Sequence, residues 1–253
     1  MVVTAAAIEW RQTAAWGAAA LTGYYAVFVL LLMNGRLLVS GYAVYGTYEN
    51  IAMQLAIAAS ALIVYATIAQ IDRALTVRLT RLGRMAFGVC SMIWGAAHFI
   101  YMNLTAPLVP KWLPPGQVFW GCVTGVCFIA AGLGILTGIQ ARLAGILLTV
   151  MIASFGLLAN GPMLVADPSS HFNWTESALN LALTGAAWVV ADSLAQMLSD
   201  TSKSAAGVDT KVATGCPIVK SRETLDLMLE STSIFPNHQI KFPDTQGLIP
   251  CSM

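Results

Sequence analysis

The sequence contains six apolar runs, each about long enough to cross a lipid bilayer as a helix. None shows the strict alternation of apolar and polar residues that marks a membrane β-strand. Because backbone polar groups in lipid must be paired internally, long unbroken runs of this kind favour helices. The runs predict an all-α polytopic membrane protein with about six transmembrane helices, at residues 13–33, 50–70, 85–103, 117–138, 143–163 and 175–196.

Composition supports the same class of protein. Hydrophobic residues make up 57% of the chain and charged residues 10%, against roughly 45–50% and about 25% in soluble domains. Such a chain cannot cover a water-facing surface, so the lipid bilayer is its expected environment. The net charge of +1 gives no electrostatic footprint for nucleic acid, and we expect no nucleic-acid partner.

The basic residues predict an orientation. They concentrate between the second and third runs, with one more before the first run and one between the fourth and fifth. Since Lys and Arg collect in cytoplasmic loops, we predict a multi-pass protein of the cytoplasmic membrane with both termini in the cytoplasm. Residues 75–87 are expected to form a basic helix on anionic head groups. The orientation is predicted from Arg11, Arg73, Arg78, Arg81, Arg84 and Arg142.

The apolar runs and polar stretches divide the chain into four predicted segments. The first run is too long for a signal-peptide core, and we expect it to be an uncleaved anchor. The polar stretch after Asp200 lacks sustained periodicity and is expected to be mostly disordered, with one short helix at 220–230. The predicted segments are a cytoplasmic N-terminus (1–12), two helices and a basic loop (13–84), a four-helix bundle (85–197) and a cytoplasmic tail (198–253).

The break between the third and fourth runs carries the first candidate site. His98 lies near the end of the third run, and four prolines stiffen the loop that follows it. An ionisable side chain in a membrane normally faces the bundle interior or a wet cavity, and imidazole can exchange a proton near neutral pH. His98 therefore either binds a polar head group or bonds to a neighbouring helix. The nearby candidate residues are Asn103, Lys111, Trp112, Trp120 and Thr124.

Tryptophans at this break have two interpretations. Trp112 and Trp120 are expected at head-group level, where interfacial anchoring alone explains them. The stiff loop could instead cover a cavity that has His98 at its floor. Both can hold together.

A second polar stretch joins the fifth and sixth runs. Asn160 is expected to end the fifth helix, and Asn173 and Glu176 have the spacing of a helix N-cap and its partner. Glu176 and Asn180 also continue inward at a step of four residues, deeper than a cap requires. These side chains either contribute to a ligand site or bond across helices.

Motifs for other chemistry are missing from the sequence. Its five cysteines form no CxxC pair, and neither HExxH nor GxSxG occurs. We therefore assign no metal site and no catalytic residue.

From Arg84 to about Leu194 the chain resembles the DoxX-like family of small bacterial membrane proteins. The resemblance rests on the stretches GRMAFGVCSMIWGAAHF, TAPLVPKWLPPGQVFWGCVTGVCFIAAGLGILTG and RLAGILLTVMIASFGLLANGPMLVADP. It implies that the last four helices form a compact bundle. Some relatives are subunits of a thiosulfate:quinone oxidoreductase, and others belong to oxidative-stress complexes. The family has no agreed catalytic residues, so only the loop and His98 carry over, as a shared pattern.

The leading hypothesis is a membrane subunit of a redox system that holds a quinone-like or lipid-like molecule. His98 would bond the head group, Asn180 and Glu176 would tune its protonation, and Trp112 would cover it. Quinone is the candidate cofactor, and a redox protein is the expected partner. The alternative is a non-catalytic scaffold or assembly factor. A small-solute transporter ranks third, because no run has a Gly/Pro-broken centre.

Topology is directly testable. In a cysteine-free background, Trp112→Cys should react with a membrane-impermeant thiol reagent in intact cells, because its loop is predicted to lie outside. Thr76→Cys, in the predicted cytoplasmic segment, should react only after the cells are broken. The opposite labelling pattern would invert the orientation.

Overall fold

A computed structural model describes residues 13–214 of the chain, and all regular structure in that part is helical. The expected short helix at 220–230 and the predicted cytoplasmic N-terminus at 1–12 lie outside the described residues. Residues through Asp200 belong to one compact unit, and residues from Thr201 belong to a second one. The predicted all-helical class is confirmed for the described part.

The helices follow one another with short connections. The first segment winds as α1, then as a π-helix and then as α2, while two later segments also change winding. In chain order the elements are α1 (Ala14–Gly23), a π-helix (Tyr24–Met33), α2 (Asn34–Ser40), α3 (Tyr45–Ile68), α4 (Arg73–Ile100), α5 (Met102–Thr105), a 3-10 turn (Ala106–Leu108), α6 (Gln117–Thr137), α7 (Ala141–Phe155), a π-turn (Gly156–Asn160), α8 (Gly161–Ala166) and α9 (His171–Thr214).

Four described helical segments are long and apolar enough to cross a membrane: Tyr45–Ile68, Gln117–Thr137, Ala141–Ala166 and His171–Met197. A fifth is added if α4 and the segment Met102–Leu108, which are bent by 87°, form one span. The chain is thus a multi-pass membrane protein by the length and composition of its helices. The first of the six predicted spans, 13–33, stays a prediction, because the π-helix divides it into shorter pieces.

Two boundaries differ from the expectation. Helix α4 begins at Arg73 rather than near residue 85, because Asp72 Oδ2 accepts the backbone N–H of Ala74 at 2.9 Å and caps it. The basic segment is therefore continuous with the helix that carries His98. Asn160 does not end the fifth helical segment, which continues to Ala166 with Pro162 in the first turn of α8.

The last helix also differs from the prediction. It begins at His171 and extends to Thr214, where the sequence predicted a helix over 175–196 and a tail from 198. Its apolar part ends at Met197. No proline or glycine stands between Met197 and Thr214 except Gly207, so the polar sequence contains little that would break the helix.

Helices α4 and α6 are in backbone contact through paired glycines. A Cβ atom on Gly132 would lie 2.7 Å from the Gly88 carbonyl oxygen, and one on Gly95 would lie 2.7 Å from the Gly125 carbonyl oxygen. Between these pairs, Ser91 Oγ donates to the Phe128 carbonyl at 2.8 Å. Small residues at these positions let two helices approach closely, which stabilises packing in lipid.

One apolar core joins the helices around this contact. Helix α3 packs on α4 at Gly83, where a Cβ would lie 2.7 Å from the Ala59 carbonyl oxygen. The buried core draws side chains from α3, α4, α6, α7 and α9, among them Ile63, Phe87, Phe128, Leu148 and Val190. The two leading helices and the four later ones are therefore parts of the same compact unit.

The glycine contact predicts a difference between two alanine substitutions. Gly95→Ala should destabilise the protein by roughly 1–3 kcal/mol, because its Cβ would overlap the Gly125 carbonyl and Ile129. Gly185→Ala is the matched control, since a Cβ at this exposed helical position meets nothing within 4 Å. Thermal unfolding in detergent measures both. Equal unfolding temperatures for the two variants would contradict the proposed contact.

Candidate functional site

His98 is held by its own helix. Its Nδ1 atom lies 2.9 Å from the Trp94 carbonyl oxygen, one turn earlier in α4. A carbonyl oxygen can only accept, so Nδ1 carries the hydrogen and Nε2 of the neutral ring is an acceptor. Within the described part of the chain, Nε2 has no hydrogen-bond partner. The imidazole therefore has one fixed nitrogen and one available nitrogen.

Aromatic rings from two other helices surround this imidazole. Its centroid lies 5.3 Å from that of Phe128 in α6 and 6.3 Å from that of Phe155 in α7, the latter nearly stacked at 30°. Gly125 makes room for it, since a Cβ there would lie 3.0 Å from the His98 Cβ. The half-buried ring thus lies against neighbouring helices.

Trp94 adds a donor to the same neighbourhood. Its ring is 4% exposed and lies 5.8 Å, centroid to centroid, from that of Phe128, which His98 also contacts. Its indole Nε1 is buried and has no hydrogen-bond partner among the described residues. A buried donor without a partner is costly and calls for an explanation. The Phe128 ring therefore contacts both His98, whose Nε2 can accept a hydrogen bond, and Trp94, whose indole N–H has no described partner.

Asn180 and Asn160 connect α9 to the irregular end of α7. Asn180 Nδ2 donates to the Ile152 carbonyl at 3.1 Å, and Asn160 Nδ2 donates more weakly to the Glu176 carbonyl at 3.4 Å. A Cβ at Gly156 would lie 2.6 Å from Asn180 Oδ1, so this glycine admits the amide. Both side chains bond to backbone carbonyls beside the π-turn.

The predicted capping pair at Asn173 and Glu176 is wrong. Ser170 Oγ accepts the Asn173 backbone N–H at 3.3 Å, so Ser170 caps the helix that begins at His171. Asn173 Nδ2 instead donates to the Met163 carbonyl at 2.9 Å and the Asp167 carbonyl at 3.1 Å. The cap lies three residues earlier than predicted, because Ser170 is also a good N-cap residue. The half-buried Glu176 carboxylate has no partner among the described residues.

The proline-rich loop is fastened to the start of α6. Gln117 Nε2 donates to the Val109 carbonyl, and Trp120 Nε1 donates to the Pro114 carbonyl at 3.0 Å. Asn103 and Lys111 are exposed, and Trp112 is 71% exposed. The Thr124 hydroxyl donates within its own helix, to the Trp120 carbonyl at 2.8 Å.

A groove of about 290 Å³ lies between this loop and the end of the helical segment Ala141–Ala166. Its walls are residues of 107–112 on one side, including Lys111 and Trp112, and Leu158, Ala159, Pro162 and Met163 on the other. The other seven candidate ligand residues do not line it. The nine predicted residues therefore do not form one site: Lys111 and Trp112 line this groove, His98 lies in the aromatic cluster, and Asn160, Glu176 and Asn180 lie at the α7–α9 contact.

The sequence interpretation missed a ring of amides in the first half of the chain. Asn34 Nδ2 donates to Gln54 Oε1, Asn50 Nδ2 donates to Asn34 Oδ1 at 3.3 Å, and Gln54 Nε2 donates to Asn50 Oδ1 at 3.4 Å. Asn34 is buried although its neighbours along the chain are largely apolar. The spacing of Asn50 and Gln54, one turn apart on α3, was the available signal.

Tyrosines also fasten α3 to α4. The Tyr45 hydroxyl donates to the Ile93 carbonyl at 2.9 Å, and the Tyr101 hydroxyl accepts the Gly46 N–H at 3.0 Å. The first bond ends on Ile93, five residues before His98, and the second involves Tyr101, three residues after it. They position the helix ends and leave the imidazole nitrogen uncommitted.

Cysteines and metal ligands add no further site in the described part. Cys90, Cys122 and Cys127 are free thiols, while Cys216 and Cys251 lie outside the described residues. No group of three His, Cys, Asp or Glu side chains within that part could hold a metal ion.

Comparison of the chain with protein-family models, with curated proteins and with solved structures finds no match. The resemblance to the DoxX-like family therefore rests on the sequence stretches alone. Function must be argued from the described side chains.

The α7–α9 contact yields a stability prediction. Asn180→Ala should destabilise the protein by about 1 kcal/mol, because it removes the bond to the Ile152 carbonyl and leaves a cavity beside Gly156. Asn103→Ala is the matched control, since Asn103 is exposed and makes no hydrogen bond with any described side chain or backbone group. Thermal unfolding in detergent compares them. A loss as large for Asn103→Ala would show that the bond does not matter.

Proposed function

We propose that this multi-pass membrane protein binds the head group of a quinone-like or lipid-like molecule at the His98 cluster. In this proposal it is a DoxX-like membrane subunit of a redox system, in the cytoplasmic membrane, with the His98 end on the extracytoplasmic side. A redox protein partner supplies electron transfer, as thiosulfate:quinone oxidoreductase would, and this chain binds and orients the head group.

The observation that carries the proposal is the pairing of His98 Nε2 with the Trp94 indole N–H across Phe128. Both rings lie within 6 Å of the Phe128 centroid, and neither polar atom has a partner in the described structure. A quinone carbonyl accepts a hydrogen bond and a quinol hydroxyl donates one. Flat aromatic walls also suit a flat ring, because stacked or edge-to-face arrangements are favourable.

The groove under the proline-rich loop offers an approach to this cluster. Leu158 lines the groove and lies one helical turn from Phe155, whose ring covers His98. Rotation of the Phe155 side chain would join the groove to the imidazole. Lys111 and Trp112 stand at the outer wall, where an isoprenoid or acyl tail could leave toward lipid.

A scaffold or assembly role is the second candidate, and a specific observation favours it. The interhelical polar bonds of Ser91, Asn160 and Asn180 all end on backbone carbonyls of a neighbouring helix. Bonds of this kind hold helices together and need no ligand to explain them. His98 Nε2 and Trp94 Nε1 make no such bond within the described structure. The head-group proposal gives these two atoms a ligand, and the scaffold role does not.

Binding of a short-chain ubiquinol, whose hydroxyl can donate a hydrogen bond to His98 Nε2, tests the proposal. His98→Ala should weaken binding by roughly threefold to tenfold, the effect expected from losing one hydrogen bond. His171→Ala is the matched control, because His171 is exposed at the start of α9. Tryptophan fluorescence quenching of the purified protein in nanodiscs measures the affinity.

Two outcomes would count against the redox proposal. Equal affinity of the wild-type protein and His98→Ala would remove the head-group role of the imidazole. A His98→Ala variant that loses thermal stability but keeps both its ubiquinol affinity and its partner in a pull-down would favour the scaffold role.

A further inference from the structure

A second polar site lies at the other end of α4, where Arg84 meets α9. Arg84 Nε donates to Ser193 Oγ at 2.9 Å, and Nη2 donates to the Ser193 backbone carbonyl. Nη1 lies 3.2 Å from Met197 Sδ. All three partners are neutral, and Arg84 forms no ion pair with any described residue. A half-buried guanidinium therefore has its hydrogen bonds partly satisfied but its charge uncompensated.

An acidic residue stands beside the same serine. Asp192 directly precedes Ser193 in α9, is exposed, and accepts a hydrogen bond from Gln196 Nε2 at 2.9 Å. No lysine, arginine or histidine of the described part pairs with it. Arg84 and Asp192 thus flank Ser193 with opposite charges that do not neutralise each other.

A groove opens between α3 and α9 at this point. It has a volume of about 150 Å³, and both Asp192 and Ser193 line it. Arg84 does not line the groove and lies next to it through its hydrogen bonds to Ser193. Its apolar wall includes Ile63, Val64 and Trp188, and it reaches Ile68, the last residue of α3. Since the apolar part of α9 ends at Met197, the polar end of the groove lies at the level where spans meet head groups.

We propose that this groove binds a phospholipid with a primary-amine head group, phosphatidylethanolamine. Its phosphate would lie at Arg84, its ammonium would donate to the Asp192 carboxylate, and the first part of an acyl chain would follow Ile63, Val64 and Trp188. A zwitterionic head group matches one cation and one anion that flank a single residue. Trp188, which is 58% exposed, offers an acyl chain an apolar surface.

Competing head groups fit less well. Phosphatidylglycerol carries the same phosphate, but its terminal glycerol is neutral and brings no cation to the Asp192 carboxylate. Phosphatidylcholine has a cation, but its methylated nitrogen cannot donate a hydrogen bond to the carboxylate. Arg81, on the same face of α4 as Arg84, adds attraction for phosphate that all three lipids share. The amine is the feature that separates them.

Native mass spectrometry can test this with full-length protein in detergent. The protein is incubated with equal amounts of phosphatidylethanolamine, phosphatidylcholine and phosphatidylglycerol that carry the same acyl chains. We expect the ethanolamine lipid to be retained roughly tenfold to a hundredfold more than the choline lipid, the range expected for a charged hydrogen bond. Asp192→Asn keeps the side-chain shape and should abolish that preference.

Further variants make the outcome decisive. Arg84→Gln should lower retention of all three lipids, while Arg142→Gln, at an exposed arginine near the start of α7, should leave the preference unchanged. Should Arg84→Gln fail to fold, Asp192→Asn alone still decides. Equal retention of the ethanolamine and choline lipids by the wild-type protein would overturn the proposal. So would a preference for phosphatidylglycerol, or a preference that survives Asp192→Asn.

Discussion

The backbone contact between α4 and α6 is the constraint on which the other contacts depend. Gly88 meets Gly132, and Gly95 meets Gly125, with the Ser91–Phe128 bond between them. In each pair the residue numbers add up to nearly the same value, as an antiparallel register requires. This register brings the Phe128 ring within reach of both Trp94 and His98. A larger residue at any of the four glycines would push the helices apart and move the aromatic ring away from the imidazole.

A change of helix winding in the segment Ala141–Ala166 lies beside a polar contact between helices. At Gly156–Asn160 the wider π-turn lies where Asn180 bonds to the Ile152 carbonyl. π-turns within α-helices are often found at functional sites. The turn also carries Leu158 and Ala159 into the wall of the loop groove. One local irregularity in the fifth helical segment therefore shapes both its contact with α9 and the approach to His98.

Sequence patterns were sufficient for some features and could not be for others. Apolar run length predicted the membrane class, and Pro115-Gly116 predicted that α6 begins at Gln117. The sequence predicted a basic surface helix at 75–87 and a span from 85, but not that both belong to one helix, α4, which Asp72 caps at Arg73. The amide ring of Asn34 depends on contacts between distant positions, which hydropathy does not encode. The candidate ligand residues were chosen by their expected depth in the membrane. Which of them lie together depends on the register between helices. Glycine contacts set that register, and a single sequence does not show which glycines pair.

The two proposed sites lie on one helix, and this limits how they can interact. His98 and Arg84 are separated by 14 positions, about 21 Å along a helix. Between them α4 is fixed by Gly88 and Gly95 against α6, where a shift along the axis would bring Cα atoms against carbonyl oxygens. A packed contact of this kind has no second arrangement nearby, and coupling needs an element with two arrangements. A lipid at Arg84 should therefore stabilise the whole compact unit without changing the affinity of His98 for a head group. The two sites are then expected to bind their ligands independently.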